Sequence, residues 1–352
     1  MIDRRNFARL LSFATAASAA SFAQGQSRAG ASTPVAQRRA VIKPKRLVEG
    51  DTVGIVSPAS RAGEDDAIQF AKEQMEAIGF KVVIGAHAFD KHGYFAGTDR
   101  DRAADINRMF ADPEIDGIVC YTGGWGSPRV LPLLDYATIA RNPKVFVGFS
   151  DITALLNPIY QRTGLVTFHG PVGGSGFEPY TLANFRRVIM SAEPAGLLAQ
   201  PEKRPSDLVQ RANRVLRIAP GKATGRLVGG NLTMIASLMG TPYELETAGN
   251  LVFLEDIREE VYRIDRMLTQ MALAGKFDQA AGVIFGRCSE CEAKGGFSLE
   301  EVLRDRFGAL KIPVISGLSF GHIEQKLTLP VGALATLDGD AGTLTLDEAA
   351  VG

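Results

Sequence analysis

Lys144-Val145-Phe146-Val147-Gly148-Phe149-Ser150-Asp151-Ile152-Thr153-Ala154-Leu155-Leu156 reads in three parts. Lys144 to Val147 is a short apolar run rich in β-formers, as in a buried strand. Gly148-Phe149-Ser150-Asp151 is a sharp turn. From Ile152 the period turns helical: Ile152, Leu155, Leu156, Ile159 and Tyr160 fall at i, i+3, i+4, i+7 and i+8. Such a junction uses a serine in one of two ways. As a nucleophile, Ser150 has its hydroxyl lifted clear by the turn, beside a helix N-terminus that favours negative charge. As a cap, Ser150 or Asp151 only satisfies the first free N–H groups of the helix. The match to Gly-x-Ser-x-Gly is partial, because Ile152 holds the second glycine position. Taken alone, the segment favours the cap.

Upstream, the chain alternates. Val53-Gly54-Ile55-Val56 is a strand entering the turn Ser57-Pro58-Ala59, and a helix over 65–79 follows with Ile68, Ala71, Met75 and Ile78 on one stripe. Phe80 to Ile84 is a strand, Arg100 to Phe110 a helix, and Gly117 to Cys120 a strand. Strands alternating with helices predict a parallel sheet covered on both faces, with ligands at the carboxyl ends of its strands. Thr122-Gly123-Gly124-Trp125-Gly126 is one such end. It lacks the lysine of a phosphate loop and the spacing of a dinucleotide fingerprint. Its N–H groups suit an oxyanion if Ser150 is a nucleophile; a plain turn is the alternative. His169, between Phe168 and Gly170-Pro171, reads as a structural histidine, and His87 and His92 as solvated ones.

Downstream, 191–222 is rich in Pro, Arg and Gln and reads as a connector. Arg226 to Leu232 is a strand turning into a helix that runs to about Met239. Asn250 to Leu254 is a strand ending at Glu255-Asp256. Arg263 to Leu273 is an amphipathic helix, Ala281 to Phe285 a strand, Leu299 to Phe307 a helix, Pro313 to Ile315 a strand, and Ala333 to Leu346 a hairpin. His322 follows a second glycine-flanked turn, Gly317-Leu318-Ser319-Phe320-Gly321. Ser150, Glu255 and His322 thus stand in the order serine, acid, histidine, each at the end of an apolar strand. Those residue types serve as nucleophile, orienting acid and general base in acyl transfer.

The 352 residues leave room for two domains, and 39 basic residues balance 39 acidic ones. A net charge of zero gives no electrostatic case for nucleic acid or an anionic membrane. Residues 1–23 read as an export signal: Arg4-Arg5-Asn6-Phe7 of twin-arginine type, then an apolar run too short to span a bilayer and small residues before a cut after Ala23. Residues 24–40 form a flexible leader. Cys288 and Cys291 can close a disulfide in an oxidising compartment; they lack a thioredoxin-like setting and a second metal-ligand pair. Cys120 ends an apolar run and reads as buried.

With these pieces in place, the chain resembles the LD-carboxypeptidases, or muramoyl-tetrapeptide carboxypeptidases. The resemblance runs from about Val41 to Leu346. It rests on Val53-Gly54-Ile55-Val56-Ser57-Pro58-Ala59-Ser60, Gly123-Gly124-Trp125-Gly126, Gly148-Phe149-Ser150-Asp151, His169-Gly170-Pro171, Gly229-Gly230-Asn231-Leu232, Leu254-Glu255-Asp256, Tyr262 to Leu268, and Gly321-His322 with Leu329-Pro330-Val331-Gly332. It implies an α/β chain: an N-terminal parallel-sheet, Rossmann-like domain over 41–190, a linker over 191–222, and a smaller C-terminal α/β domain over 223–352, with the active site at their interface. It implies Ser150 as nucleophile, His322 as base and Glu255 as its partner, with Asp151 and Gly124 as the oxyanion hole and Gly123, Trp125 and Arg258 toward substrate. Trp125 and Phe149 stand where tyrosine is usual, which bears on specificity. The implied reaction removes the terminal D-alanine of peptidoglycan tetrapeptide stems without metal or cofactor, in a periplasmic enzyme that can homodimerise. Arg129, Arg258 and Arg287 are candidate partners for the substrate carboxylate. Two other readings stay open: a microcin C immunity-type amide hydrolase, and a periplasmic solute-binding protein.

Overall fold

The alternation in the first half folds as its period predicts. In a computed structural model, which describes residues 40–64, 66–203, 205–210 and 213–352, strand β1 (Thr52–Val56) leads to helix α1 (Asp66–Ile78), β2 (Lys81–Ile84), α2 (Asp99–Ala111), β3 (Gly117–Cys120), α3 (Tyr136–Arg141), β4 (Val145–Gly148), α4 (Thr153–Thr163), β5 (Thr167–His169) and α5 (Pro179–Ile189). The export segment and nearly all of the leader lie outside the described residues. No helix among the described residues is long and apolar enough to cross a membrane.

The five strands pair in parallel in the order β2-β1-β3-β4-β5. Edge strand β2 leaves Lys81 and Val83 exposed, whereas the central strands are apolar because both faces are covered: Ile55, Val119, Phe146 and Val147 are fully buried. Each such side chain contributes about 1.5–3 kcal/mol. The strand order reverses between β1 and β3, where an open α/β sheet leaves a crevice beyond its carboxyl edge. The turns after β1, β3 and β4 all open there. Helix starts are fixed locally. Thr98 and Asp101 form a reciprocal capping box for α2, and Glu178 caps α5 through the Tyr180 and Thr181 N–H groups, with Pro179 in the first turn.

The second half builds an eight-stranded mixed sheet in the order β6 (Gly196–Leu197), β14 (Thr343–Leu346), β13 (Leu334–Asp338), β8 (Lys222–Asn231), β9 (Asn250–Ile257), β10 (Gly282–Ser289), β11 (Val314–Ser316), β7 (Leu216–Ala219). Strands β8 to β11 are parallel and carry α6 (Leu232–Ser237), α7 (Val261–Leu273) and α8 (Leu299–Phe307). Residues 196–197 and 216–219, within the connector range, thus supply its two edge strands. Strand β12 (Leu329–Val331) crosses to the first sheet and pairs antiparallel with β5. Its Pro330 is tolerated because the strand forms the sheet edge.

One expectation is corrected. Glu255 does not end its strand: β9 continues to Ile257, and Glu255 pairs with Asn231 of β8. An acid reads as a strand end because burying it is costly, yet here it is fully buried. Its compensation comes from distant residues.

Two side chains of α4 bolt the sheets together. Asn157 accepts the Gly229 N–H at 3.0 Å and donates to the Gly229 carbonyl at 2.8 Å, and the Thr153 hydroxyl accepts the Asn231 N–H at 2.9 Å. The helix that follows Ser150 is thereby tied to the strand beside Glu255.

Candidate active site

The turn after β4 is strained at one residue. Ser150 has φ +63°, a left-handed conformation that costs a side-chain-bearing residue of order 1 kcal/mol. A short 3-10 turn, Ser150–Ile152, follows and runs into α4. This is a nucleophile elbow in shape, and the missing second glycine has a local explanation. A Cβ at Gly148 would lie 2.5 Å from Ile152 Cγ2, so the bare first glycine makes room for the isoleucine. Gly148→Ala is therefore expected to destabilise the protein by about 1–3 kcal/mol through overpacking. In thermal melts, Gly148→Ala/Ile152→Ala should lie closer to Ile152→Ala than the sum of the single changes predicts. Simple additivity would show that the contact is not the reason for the glycine.

The glycine turn packs on this elbow. A Cβ at Gly123 would stand 2.9 Å from Ser150 Cβ and 3.1 Å from the Asp151 nitrogen. Gly124 lies against Ser60, whose hydroxyl accepts the Trp125 N–H at 3.0 Å. Trp125 itself is 53% exposed. Among the described residues, neither the Asp151 nor the Gly124 amide donates a backbone hydrogen bond outside helices and strands. The buried Asp151 carboxylate accepts the Ser127 N–H at 2.7 Å, which locks elbow and glycine turn together. Burial pushes its pKa up, against the hydrogen bonds from Ser127 and Gly126 and the charge of Arg102. Arg102, fully buried, braces the same turn by donating to the carbonyls of Pro58 and Gly126.

His322 is delivered by a loop held at several points. The Ser289 hydroxyl donates to its carbonyl at 2.6 Å, and the Thr181 hydroxyl donates to the Glu324 carbonyl and accepts the Lys326 N–H. The imidazole then bridges the two halves of the chain. Its Nε2 is 2.8 Å from Ser150 Oγ and its Nδ1 is 2.7 Å from Glu255 Oε2. With Nδ1 protonated, His322 donates to the carboxylate and accepts from the serine. Gly321 is needed beside it: its φ is +105°, and a Cβ there would meet Glu255 Oε2 at 2.6 Å. Burial raises the Glu255 pKa, but the imidazoles of His169 and His322 more than offset it, holding the carboxyl at about 2.

Ser150, His322, Glu255, Asp151 and Gly123 therefore meet, although they come from distant stretches of sequence. Arg258 does not join them; it is exposed and paired with Glu290 at 2.9 Å. Arg129 pairs with Asp99, and Arg287 donates to Asn213. The cation that sequence reasoning missed is Lys326. Its buried ammonium lies 4.7 Å from the centre of the Phe149 ring, and that ring in turn lies 4.9 Å from the His322 ring. Burial lowers its pKa, while Glu255 and Glu178 oppose the shift. The one available signal was a lone lysine entering the apolar run Leu327-Thr328-Leu329. Cys288 and Cys291 form a disulfide at the end of β10, and Cys120 is buried, which pushes its thiol pKa up.

Comparison with known proteins identifies the family. Residues 53–170 match the LD-carboxypeptidase N-terminal domain and residues 224–337 the LD-carboxypeptidase C-terminal domain. A probable murein peptide carboxypeptidase of Bacillus subtilis is 37% identical over 316 residues, covering 87% of this chain and 94% of that protein. The solved structure of the microcin C7 self-immunity protein MccF superposes with a TM-score of 0.80 at 30% identity, covering 88% of this chain and 99% of that one. That of muramoyltetrapeptide carboxypeptidase from Oxalobacter formigenes gives 0.72 at 31%, covering 84% and 97%. With both halves matched in order and the likeness spanning nearly the whole of its relatives, the chain belongs to the LD-carboxypeptidase family.

Proposed function

We propose that this chain is a serine carboxypeptidase that removes the terminal D-alanine from peptidoglycan tetrapeptide stems, cutting after the L-centre of the diamino acid. The observation that carries the reading is the hydrogen-bonded line from Ser150 Oγ through His322 to Glu255, 2.8 and 2.7 Å long, with the serine on a strained elbow. Ser150 Oγ attacks the scissile carbonyl carbon while His322 Nε2 takes its proton. The Asp151 and Gly124 N–H groups receive the oxyanion. Collapse breaks the C–N bond, and His322 returns the proton to the departing D-alanine amine. Water then attacks the Ser150 ester with His322 again as base, releasing the tripeptide acid and restoring the hydroxyl. Glu255 stays ionised and holds His322 in the productive tautomer. We place this activity in the periplasm, a compartment in which the Cys288–Cys291 disulfide would persist.

The likeness to the microcin C7 self-immunity protein favours a second reading, amide hydrolysis of an aminoacyl nucleotide analogue by the same chemistry. The test offers the chain a muropeptide tetrapeptide and an aminoacyl sulfamoyl adenosine, with a fluorophosphonate label for the nucleophile. Release of D-alanine and a label on the Ser150 peptide are expected. Cleavage of the nucleotide analogue alone would move the function to the second reading. Tight ligand binding with neither cleavage would leave a binding protein.

A further inference from the structure

His169 has no part in the reaction just described, yet it sits against it. It ends β5, beside Gly148 of β4 in the parallel ladder. Its side chain is 1% exposed and ringed by Phe149, Phe253 and Phe320, with centroid distances of 6.0, 5.5 and 6.2 Å. That cage is apolar, and phenylalanine would fill it. Instead the ring brings two nitrogens into it, and neither has a hydrogen-bond partner among the described residues. Glu255 Oε1 is in the same condition: buried, with no hydrogen bond, while Oε2 serves His322. These two unsatisfied groups face each other, His169 Nε2 lying 3.8 Å from Glu255 Oε1. An unpaired buried polar group is costly, so both gain from closing a gap of that size.

We propose that His169 is a positioning residue, donating Nε2–H to Glu255 Oε1 so that the carboxylate is held from both sides and presents Oε2 to His322. The inference rests on the Ser150–His322–Glu255 reading above. The hydrogen-bonded line then has four members, and its far end is anchored in the N-terminal sheet. The charged and titratable groups around His169 are Glu255, His322 beyond it, and Lys326 on Phe149. Without the His169 donor, the Glu255 charge is less compensated. The imidazolium of His322 is then favoured and the carboxylate is free to turn.

Two variants and one direct measurement test this. His169→Phe should lower kcat roughly 10- to 100-fold, the scale seen for partners that orient a functional histidine elsewhere, with KM within about twofold. The acid limb of its kcat/KM profile should move to higher pH. His169→Gln places an amide N–H near the same point and should restore most of kcat and the wild-type limb. In 15N-labelled wild type, the His169 ring should carry its proton on Nε2. Wild-type kcat in His169→Phe, equal losses in both variants, or a ring protonated only on Nδ1 would overturn the proposal. The ring measurement decides even if a variant fails to fold. Failure of the parent reading looks different: Ser150→Ala would then still release D-alanine.

Discussion

Ser150→Ala is expected to lower kcat for D-alanine release by roughly 10⁴- to 10⁶-fold while the folded protein still binds the tetrapeptide. The change removes one atom. The Cβ remains where it is, and the left-handed φ of +63° is as strained for alanine as for serine, so the unfolding midpoint should stay within a few degrees. What disappears is the hydroxyl 2.8 Å from His322 Nε2, the group that forms the acyl bond in this reading. Because the hydroxyl and its base act as a unit, His322→Ala added to Ser150→Ala should cost little more than either alone. Single-turnover assays with labelled tetrapeptide, paired with calorimetric binding, separate the step from affinity. A Ser150→Ala protein within tenfold of wild type would remove the nucleophile from this turn.

The elbow shows what a sequence can and cannot disclose. Its strand, turn and helix were legible because each follows a local rule: an apolar run, a glycine, then a 3.6-residue stripe. Four strands of the parallel sheet were legible for the same reason; the fifth, β5, is three residues long and too short to show a pattern. The Ile152 puzzle was not, since its answer is a packing contact with Gly148. Glu255 marks the limit more sharply. Its residue type and its order between Ser150 and His322 pointed to the site, but its place inside β9 did not. An acid can lie within a buried strand only when something distant compensates it, and here His322 lies 67 positions away. His169 stands in a family motif, but nothing in the sequence disclosed its role, because that depends on which oxygen it faces. The crossing of β12 to the first sheet was hidden too: three residues with a proline in the middle carry almost no strand pattern.

Glu255→Gln is expected to lower kcat by roughly 10³- to 10⁴-fold. The two imidazoles stabilise the buried charge by more than its burial costs, so neutralising it should also lower the melting midpoint, and kcat is compared below that midpoint. The chemistry suffers for a geometric reason. The amide keeps one oxygen but gains an NH₂, and His322 and His169 occupy its two sides at 2.7 and 3.8 Å. If the NH₂ faces His322, it forces the proton of that ring onto Nε2, where it can no longer accept from Ser150. If the oxygen faces His322, the NH₂ faces the His169 ring and the charge that stabilises the imidazolium is still gone. The pH profile then distinguishes the roles of Glu255 and His169. Glu255 is held at about 2, so its own titration does not set the acid limb. Removing its charge should carry that limb to lower pH, whereas removing His169 should carry it to higher pH. Shifts in the same direction would mean that the two side chains do not act on His322 through one carboxylate. An unchanged kcat in Glu255→Gln would transfer the orienting role elsewhere, with Asp256 the nearest acid in sequence.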